Sequence, residues 1–377
     1  MDKKVICDSS VLQKDYDDEY ICHTIGVGRY LQGRGSLKLL GKEILRFGQN
    51  AFLLGDTGGL TACGSEIGQI LAKHNVKYYI QKIKTECSIE ARNIISKLVI
   101  EKKWDVVIGV GGGKCIDLAK SVAALSDLPI ITIPTIAATC AGWTPLSIMY
   151  HPDGKPDSGI NHTYSVNCCI VDTEVILHAP ARTLASGISD SLAKHQEIMC
   201  GNKFLKCEDS RSSFYSAYQI AKAIDDILYQ KGKEAYQSVC LKQSTQAFED
   251  VVYVNIALTG ICSGLVAGTG QLVLAHAFND AVHEIFLPQA LEHLHGEIVG
   301  VGNIIQMHAN QVENIIPYKR FCRTLNLPTT VSELGIEPIQ INWIQIFDYL
   351  IGKLKDQEKN ISIDRLKSGL NDVFEIG

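Results

Sequence analysis

The thirteen cysteines of the chain form no C-x-x-C pair and no regular spacing, which removes a zinc ribbon, a thioredoxin-like redox motif and a disulfide framework from consideration. No block of like charge stands out either. Thirty-six basic residues against 41 acidic ones give a net charge of -5. Without a basic cluster, neither nucleic acid nor an anionic membrane surface is an expected partner, and a small molecule is. No internal repeat is visible, and no cleavable leader is expected at the start, where Asp2, Lys3 and Lys4 open a mixed segment. The chain is therefore expected to be reduced and cytoplasmic. One long uncharged stretch, Val251 to Ala275, contains Asn255, Thr259, Ser263, Thr269 and four glycines. It reads as a buried core helix that breaks near Gly268 and Gly270 rather than as a membrane span.

The 377 residues exceed what one core comfortably holds, so two domains are expected. From about Ala51 to Tyr150 short apolar runs alternate with helix-length amphipathic segments: AFLLGD, a helix through Ile67 and Leu71, KYYIQKI, a helix through Ile94 and Leu98, DVVIGV, a helix from Lys114, and PIITIPT. That alternation predicts a doubly wound, mainly parallel sheet with helices on both faces. TIGVGRYLQG, SIMYHP and NCCIVD are expected to extend or flank the sheet. Beyond about Pro180 strand signals stop and helices follow one another, with turns expected at Lys231-Gly232-Lys233 and Pro328. The expected division is an α/β domain over 1–180 and an all-α domain over 181–377, with the active site in the cleft between them.

The run Gly109-Val-Gly-Gly-Gly-Lys114 lies where a strand ends and a helix begins. Backbone N–H groups at such a junction approach a pyrophosphate closely, and the helix dipole favours the anion. The run departs from G-x-G-x-x-G because Lys114 stands at the third glycine, and from a Walker loop because Cys115 replaces the magnesium-binding hydroxyl. A ligand-free tight turn is the alternative. Asp56, at the end of AFLLGD, suits an adenosine ribose and would favour NAD over NADP, with a turn-forming role before Gly58-Gly59 as its alternative.

Eleven histidines leave metal ligation open. His276 and His283 are seven residues apart, roughly 10 Å on one helix, too far to share an ion. His293 and His295 point to different sides, so at most one is a ligand. Asp280, one turn after His276, is positioned to orient that imidazole, while Asp190 reads either as a ligand or as a helix cap after Gly187-Ile-Ser189. Gly187-Ile-Ser189-Asp-Ser191 lacks the last glycine of a nucleophile elbow, and no cysteine carries a thiol-enzyme signature.

RYLQGRGSLKLLG, VIGVGGGKCIDLAK, IPTIAAT, LSIMY, SGISDSLA and HAFNDA followed by LHGE resemble, in order, the motifs of the iron-containing alcohol dehydrogenase and glycerol dehydrogenase superfamily across roughly residues 25 to 305. The resemblance implies a dinucleotide domain followed by a helical metal domain. It implies Asp190, His276 and His295 as metal ligands, with Gly111, Gly112, Gly113 and Lys114 around the pyrophosphate. Thr135, Thr144 and Leu146 would line the cofactor. NAD is the expected cofactor, with NADP as the alternative. One divalent metal, zinc ahead of iron, would polarise a carbonyl or lower an alcohol's pKa. A homo-oligomer is also expected.

Two departures from the family pattern bear on the substrate. Cys140 in TCAGWTPLS stands where glycerol dehydrogenases carry a polyol-binding aspartate, and Lys194 stands where many family alcohol dehydrogenases carry a further histidine. Together they resemble the hydroxycarboxylate dehydrogenase branch, which reduces 2-oxo acids. Lys194 beside a metal suits a carboxylate, and Trp143 is expected as an apolar wall for a short side chain. His283 and Lys194 are candidate proton donors. The rival readings are a glycerol dehydrogenase and a dehydroquinate-synthase-like lyase; for the lyase only Lys194 is available to hold a phosphate.

Overall fold

The computed structural model describes residues 24–200, 206–208, 212–266, 273–356 and 361–376. The chain forms two compact units. One contains the described residues up to Ile136 together with Cys140–Ile176; the other contains Ala137–Thr139 and the described residues from Leu177 onward.

The first unit is built on six parallel strands in the order β1-β8-β5-β4-β2-β3. They are β1 (Tyr30–Gly33), β2 (Asn50–Gly55), β3 (Lys77–Lys82), β4 (Val106–Gly111), β5 (Ile130–Pro134) and β8 (Cys168–Asp172). Successive side chains of a strand point to opposite faces, and the two cores follow that rule. Leu53, Val106, Ile108 and Val110 join Ile67 and Leu71 of α2 (Thr57–Lys73) and Leu40 and Ile44 of α1 (Leu40–Ile44) on one face. Phe52, Leu54 and Val107 join Ala91 and Val99 of α3 (Ile89–Glu101) and Leu118, Val122 and Ala123 of α4 (Gly113–Leu125) on the other. Each buried Val, Leu, Ile or Phe among these contributes about 1.5–3 kcal/mol relative to exposure, so both faces need cover. The sheet is therefore doubly wound. SIMYHP flanks the sheet rather than extending it: β6 (Leu146–Tyr150) pairs antiparallel with β7 (Pro156–Asn161) in a sheet of two strands, and Met149 joins the Phe52 core. NCCIVD does join the main sheet as β8.

After α5 (Thr173–His178) the second unit is helical: α6 (Ala181–Met199), α7 (Ser212–Leu241), α8 (Gln246–Tyr253), a π-turn at Val254–Leu258, α9 (Thr259–Leu265), α10 (Leu274–Ile285), α11 (Leu287–Glu292), α12 (His295–Ala309), α13 (Ile316–Thr324), α14 (Gln340–Asp356) and α15 (Ile363–Phe374). The turn expected at Lys231-Gly232-Lys233 lies inside α7 instead. A Cβ at Gly232 would sit 2.8 Å from the Phe321 ring, so this glycine serves close packing and the helix runs through it. The run Gln246–Leu265 is long and apolar enough by composition to cross a membrane, with 61% of its most apolar window buried. Phe248, Val251, Val252 and Ile256 are core side chains of the second unit. Gly268 and Gly270, where a helix break is expected, lie outside the described residues.

In the first unit a buried imidazole sits beneath β6. His162 Nε2 lies 2.9 Å from Ser147 Oγ, and that hydroxyl donates to the Asp117 carbonyl, which leaves Nε2–H as the donor. Burial, with Lys120 and Arg92 adding repulsion, lowers the His162 pKa from 6.5 to about 3. The folded state thus resists a proton that the unfolded chain accepts. Stability is intact above pH 6.5 and falls as pH drops from 6.5 toward 3, by about 1.4 kcal/mol per pH unit. Urea unfolding at pH 7.5 and 5.5 should show the parent protein losing roughly 1.4 kcal/mol more than His162→Gln between the two; equal losses would contradict this origin.

Candidate functional site

The second unit brings Asp190, His276 and His295 together from three different helices, their ligand atoms all within 4.8 Å of one another. The short reach of Asp190 demands close helices, and glycine makes the approach feasible. A Cβ at Gly296 would fall 1.9 Å from the Ser186 carbonyl oxygen, and one at Gly300 would fall 2.1 Å from Ser189 Oγ. Helix α12, which begins at His295, therefore lies almost backbone to backbone on α6, which carries Asp190. His295 is further held at the helix start by Glu297, which reaches back to accept from the Leu294 N–H at 2.9 Å. Arg182 adds a two-pronged bond to the same carboxylate at 3.0 and 2.7 Å.

Asp190 Oδ1 is buried without a well-formed hydrogen bond. It faces His276 Nε2 at 3.3 Å and His295 Nε2 at 3.7 Å. A buried carboxylate oxygen left in that state is costly, and a cation between it and two imidazole nitrogens satisfies all three. The donor set thus fits a divalent metal with coordination positions left open. The opposite nitrogen of His276 is fixed by Glu197: Nδ1 lies 2.7 Å from Oε2, and Oε1 accepts from the backbone N–H groups of His276 and Val273 at 3.0 and 2.9 Å. Glu197 thus accepts from Nδ1–H and leaves Nε2 as the nitrogen a metal would take, the carboxylate–imidazole arrangement common behind metal ligands.

This corrects the expectation for Asp280, whose hydrogen bond is with Asn279 at 3.4 Å. Glu197 was legible in principle, because it lies seven residues after Asp190, two helical turns along the same buried face. Lys194 shares that face: only 5% exposed, it places its ammonium 3.4 Å from His276 Nε2. His283 Nδ1 lies 2.9 Å from the Asn279 carbonyl, one turn back on its own helix.

The site is strongly polarised. Burial pushes the Asp190 carboxyl up, but Lys194, His276 and His295 together hold it well below the carboxylate range. Burial likewise works against Glu197, which His276 and Lys194 keep below its usual value. His276 is raised to about 9, because Glu197 and Asp190 outweigh burial, whereas burial takes His295 down to about 4.

In the first unit the glycine run has the expected form. Gly111 adopts φ +150°, and a Cβ there would lie 2.1 Å from Asp56 Oδ2. Gly112 is the N-cap of α4 and offers no side-chain cap, so the first N–H groups of α4, which opens at Gly113, stay available to an anion. Asp56 takes the turn role: it caps α2 through Gly59 N at 2.6 Å and accepts from Gly112 N at 2.8 Å. Lys114 pairs with Glu86 at 2.6 Å and covers the Tyr150 ring. Thr135 N donates to the Gly111 carbonyl at 3.1 Å, and the Cys140 carbonyl accepts from Trp143 N at 2.9 Å and Thr144 N at 3.1 Å. Leu146 opens β6. The Trp143 ring leans on Tyr30 at 5.3 Å between centroids and lies over Gly26, where a Cβ would meet Nε1 at 2.6 Å.

Residues 28–173 match the model of the iron-containing alcohol dehydrogenase family. The chain is 34% identical over 323 residues to a glycerol dehydrogenase of Thermotoga maritima, covering 85% of this chain and 86% of that protein. The chain belongs to the iron-containing alcohol dehydrogenase and glycerol dehydrogenase superfamily. It is accordingly an oxidoreductase of the metal-dependent alcohol dehydrogenase type, acting on CH–OH groups. Hydroxycarboxylate dehydrogenase A of Escherichia coli K12 is 35% identical over 237 residues, 62% of this chain and 63% of that one. The crystal structure of a Schizosaccharomyces pombe glycerol dehydrogenase superposes with a TM-score of 0.81 at 25% identity, covering 96% of this chain and 92% of that one. A six-stranded parallel sheet followed by a helical region agrees with that superfamily's glycerol dehydrogenase structures.

Glu197→Gln keeps the size of the side chain but weakens its hold on His276 Nδ1, and should reduce zinc affinity about 10- to 100-fold in a competition titration. Unchanged affinity would remove Glu197 from the metal centre.

Proposed function

We propose that the chain interconverts a small secondary alcohol and its carbonyl, using a nicotinamide dinucleotide and one divalent metal held by Asp190, His276 and His295. The observation that carries this reading is the buried oxygen of Asp190 facing two imidazole nitrogens, one of them fixed from behind by Glu197. When bound, the metal supplies Lewis acidity and the dinucleotide supplies or accepts hydride. The residues do the rest. The first turn of α4, from Gly113, offers its N–H groups to the pyrophosphate, Gly111 and Gly112 let the ligand come close, and Asp56 holds that loop shut against α2. Zinc is favoured over iron because a carboxylate with two imidazoles suits it and hydride transfer needs no redox change at the metal. NAD remains the first choice and NADP the alternative; Asp56, whose carboxylate is taken up by the Gly59 and Gly112 amides, does not discriminate between them. His283 and Lys194 remain the candidate proton donors.

For the substrate, the names of the relatives put glycerol or a similar small polyol first, ahead of the 2-oxo acid that Cys140 and Lys194 suggest. One observation favours the 2-oxo acid as a second reading. Asp190 and Glu197 bring two negative charges, Lys194 one positive and a divalent ion two, so with neutral imidazoles the centre keeps one net positive charge. A carboxylate beside the reacting carbonyl would answer that charge.

Initial rates with glycerol plus NAD, and with a panel of 2-oxo acids plus NADH or NADPH, separate the two. If 2-oxo acids are reduced, Lys194→Ala should raise their KM at least about tenfold, the scale of one charge-assisted contact. An unchanged KM would end the anchoring role. Turnover by His276→Ala at the parent rate would overturn the metal-dependent reading altogether.

A further inference from the structure

The segment between β5 and β6 has irregular backbone, and irregular buried backbone must find partners for its carbonyl groups outside a ladder. Here three of those carbonyls converge on one point. The ammonium of Lys120, on α4, donates to the carbonyls of Ala141 at 2.8 Å, Thr144 at 2.9 Å and Leu146. The carboxylate of Asp117, one turn earlier on the same helix, lies 2.8 Å from it. The other oxygen of Asp117 accepts from Ile148 N at 3.1 Å, and the Asp117 carbonyl accepts from Ser147 Oγ at 2.7 Å. Lys120 is 2% exposed and Asp117 7% exposed. A lysine that only filled space there would be outperformed by an apolar side chain, because removing the ammonium from water is costly. What an apolar side chain lacks is the ability to gather three carbonyls and set the backbone between them.

The same helix opens at Gly113 with first-turn N–H groups that its N-cap, Gly112, does not cap. Gly113 and Lys120 lie seven residues apart on α4, about 10 Å along its axis. One rigid element therefore carries the pyrophosphate-facing loop at its end and fixes the segment holding Thr144 and Leu146 at its third turn. We propose that Lys120, with Asp117, is a positioning residue that sets the nicotinamide-lining segment Ala141–Leu146 at a fixed distance from the pyrophosphate loop. This inference rests on the dinucleotide reading above. Lys120 touches neither substrate nor cofactor in this role; it acts through the backbone it gathers.

The test compares ADP-ribose, which lacks the nicotinamide, with NADH (or NADPH, if the parent prefers it) in equilibrium binding to Lys120→Met, alongside kcat and a thermal melt. The glycine run and Asp56 are intact in the variant, so the ADP-ribose Kd should stay within about threefold of the parent while NADH binding weakens about tenfold or more and kcat falls on the order of 30-fold. The fluorescence change of bound nicotinamide should shrink in parallel. Lys120→Arg should not rescue, because a planar fork cannot address three convergent carbonyls. If Lys120→Met does not fold, Asp117→Asn, which keeps an acceptor for Ile148 N, should show the same pattern at about three- to tenfold. A lowered melting temperature with both affinities and kcat unchanged would make the pair purely structural and overturn the proposal. Equal weakening of ADP-ribose and NADH would also overturn it, by moving the effect to the glycine loop. A parent protein that binds neither nucleotide would refute the dinucleotide reading and this inference with it.

Discussion

Helix α6 buries Asp190, Lys194 and Glu197 on one face, and the charge they carry out of water is the constraint around which the second unit is arranged. Two carboxylates and one ammonium do not balance, and buried charge that is not balanced is among the costliest features a fold can hold. His276 answers Glu197 on one side and Asp190 on the other, and His295 approaches Asp190 from a third helix. The glycines at 296 and 300 follow from the same demand. An aspartate has a short side chain, so the backbones must come close before the three donors can share a cation. Packing, capping and electrostatics in this part of the molecule therefore have one cause.

The first unit meets its own demand differently. Its functional loops are irregular backbone, and the groups left over at strand and helix ends are taken up by side chains from neighbouring elements: Asp56 for the amides of Gly59 and Gly112, Lys120 for the carbonyls beyond β5. Lys120 and Lys194 are both deeply buried cations, and their surroundings separate their roles. Lys120 is enclosed by backbone oxygens and one carboxylate, a structural cage. Lys194 stands beside an imidazole in a cluster whose remaining charge a small anionic ligand would answer.

Much of this was legible in the sequence because it is written in local pattern. The alternation of Leu53 with Phe52 and Leu54, and the glycines after Val110, follow from strand periodicity and turn chemistry and reappear as β2, β4 and the start of α4. The ordered motifs brought Asp190, His276 and His295 into one candidate set that spacing alone left open. What was not legible depends on tertiary neighbours. The spacing of Glu197 from Asp190 could be read, but not that His276 would lie against it, and Asp280 is the nearer carboxylate in sequence but not in space. Gly232 reads as a turn because nothing in its own segment announces Phe321. The cover that Trp143 gives Gly26, distant in sequence, is equally unannounced. The pairing of β6 with β7 rather than with the main sheet is likewise a choice of partner that residues 146–150 do not encode by themselves.

The central claim is that Asp190, His276 and His295 hold a divalent metal. Anomalous diffraction from crystals of zinc-loaded, dialysed protein, collected on both sides of the zinc absorption edge, addresses it most directly. The account requires a strong zinc-specific peak in contact with Asp190 Oδ1 and the Nε2 atoms of His276 and His295. A peak elsewhere, or no peak with these three side chains well ordered, would contradict it.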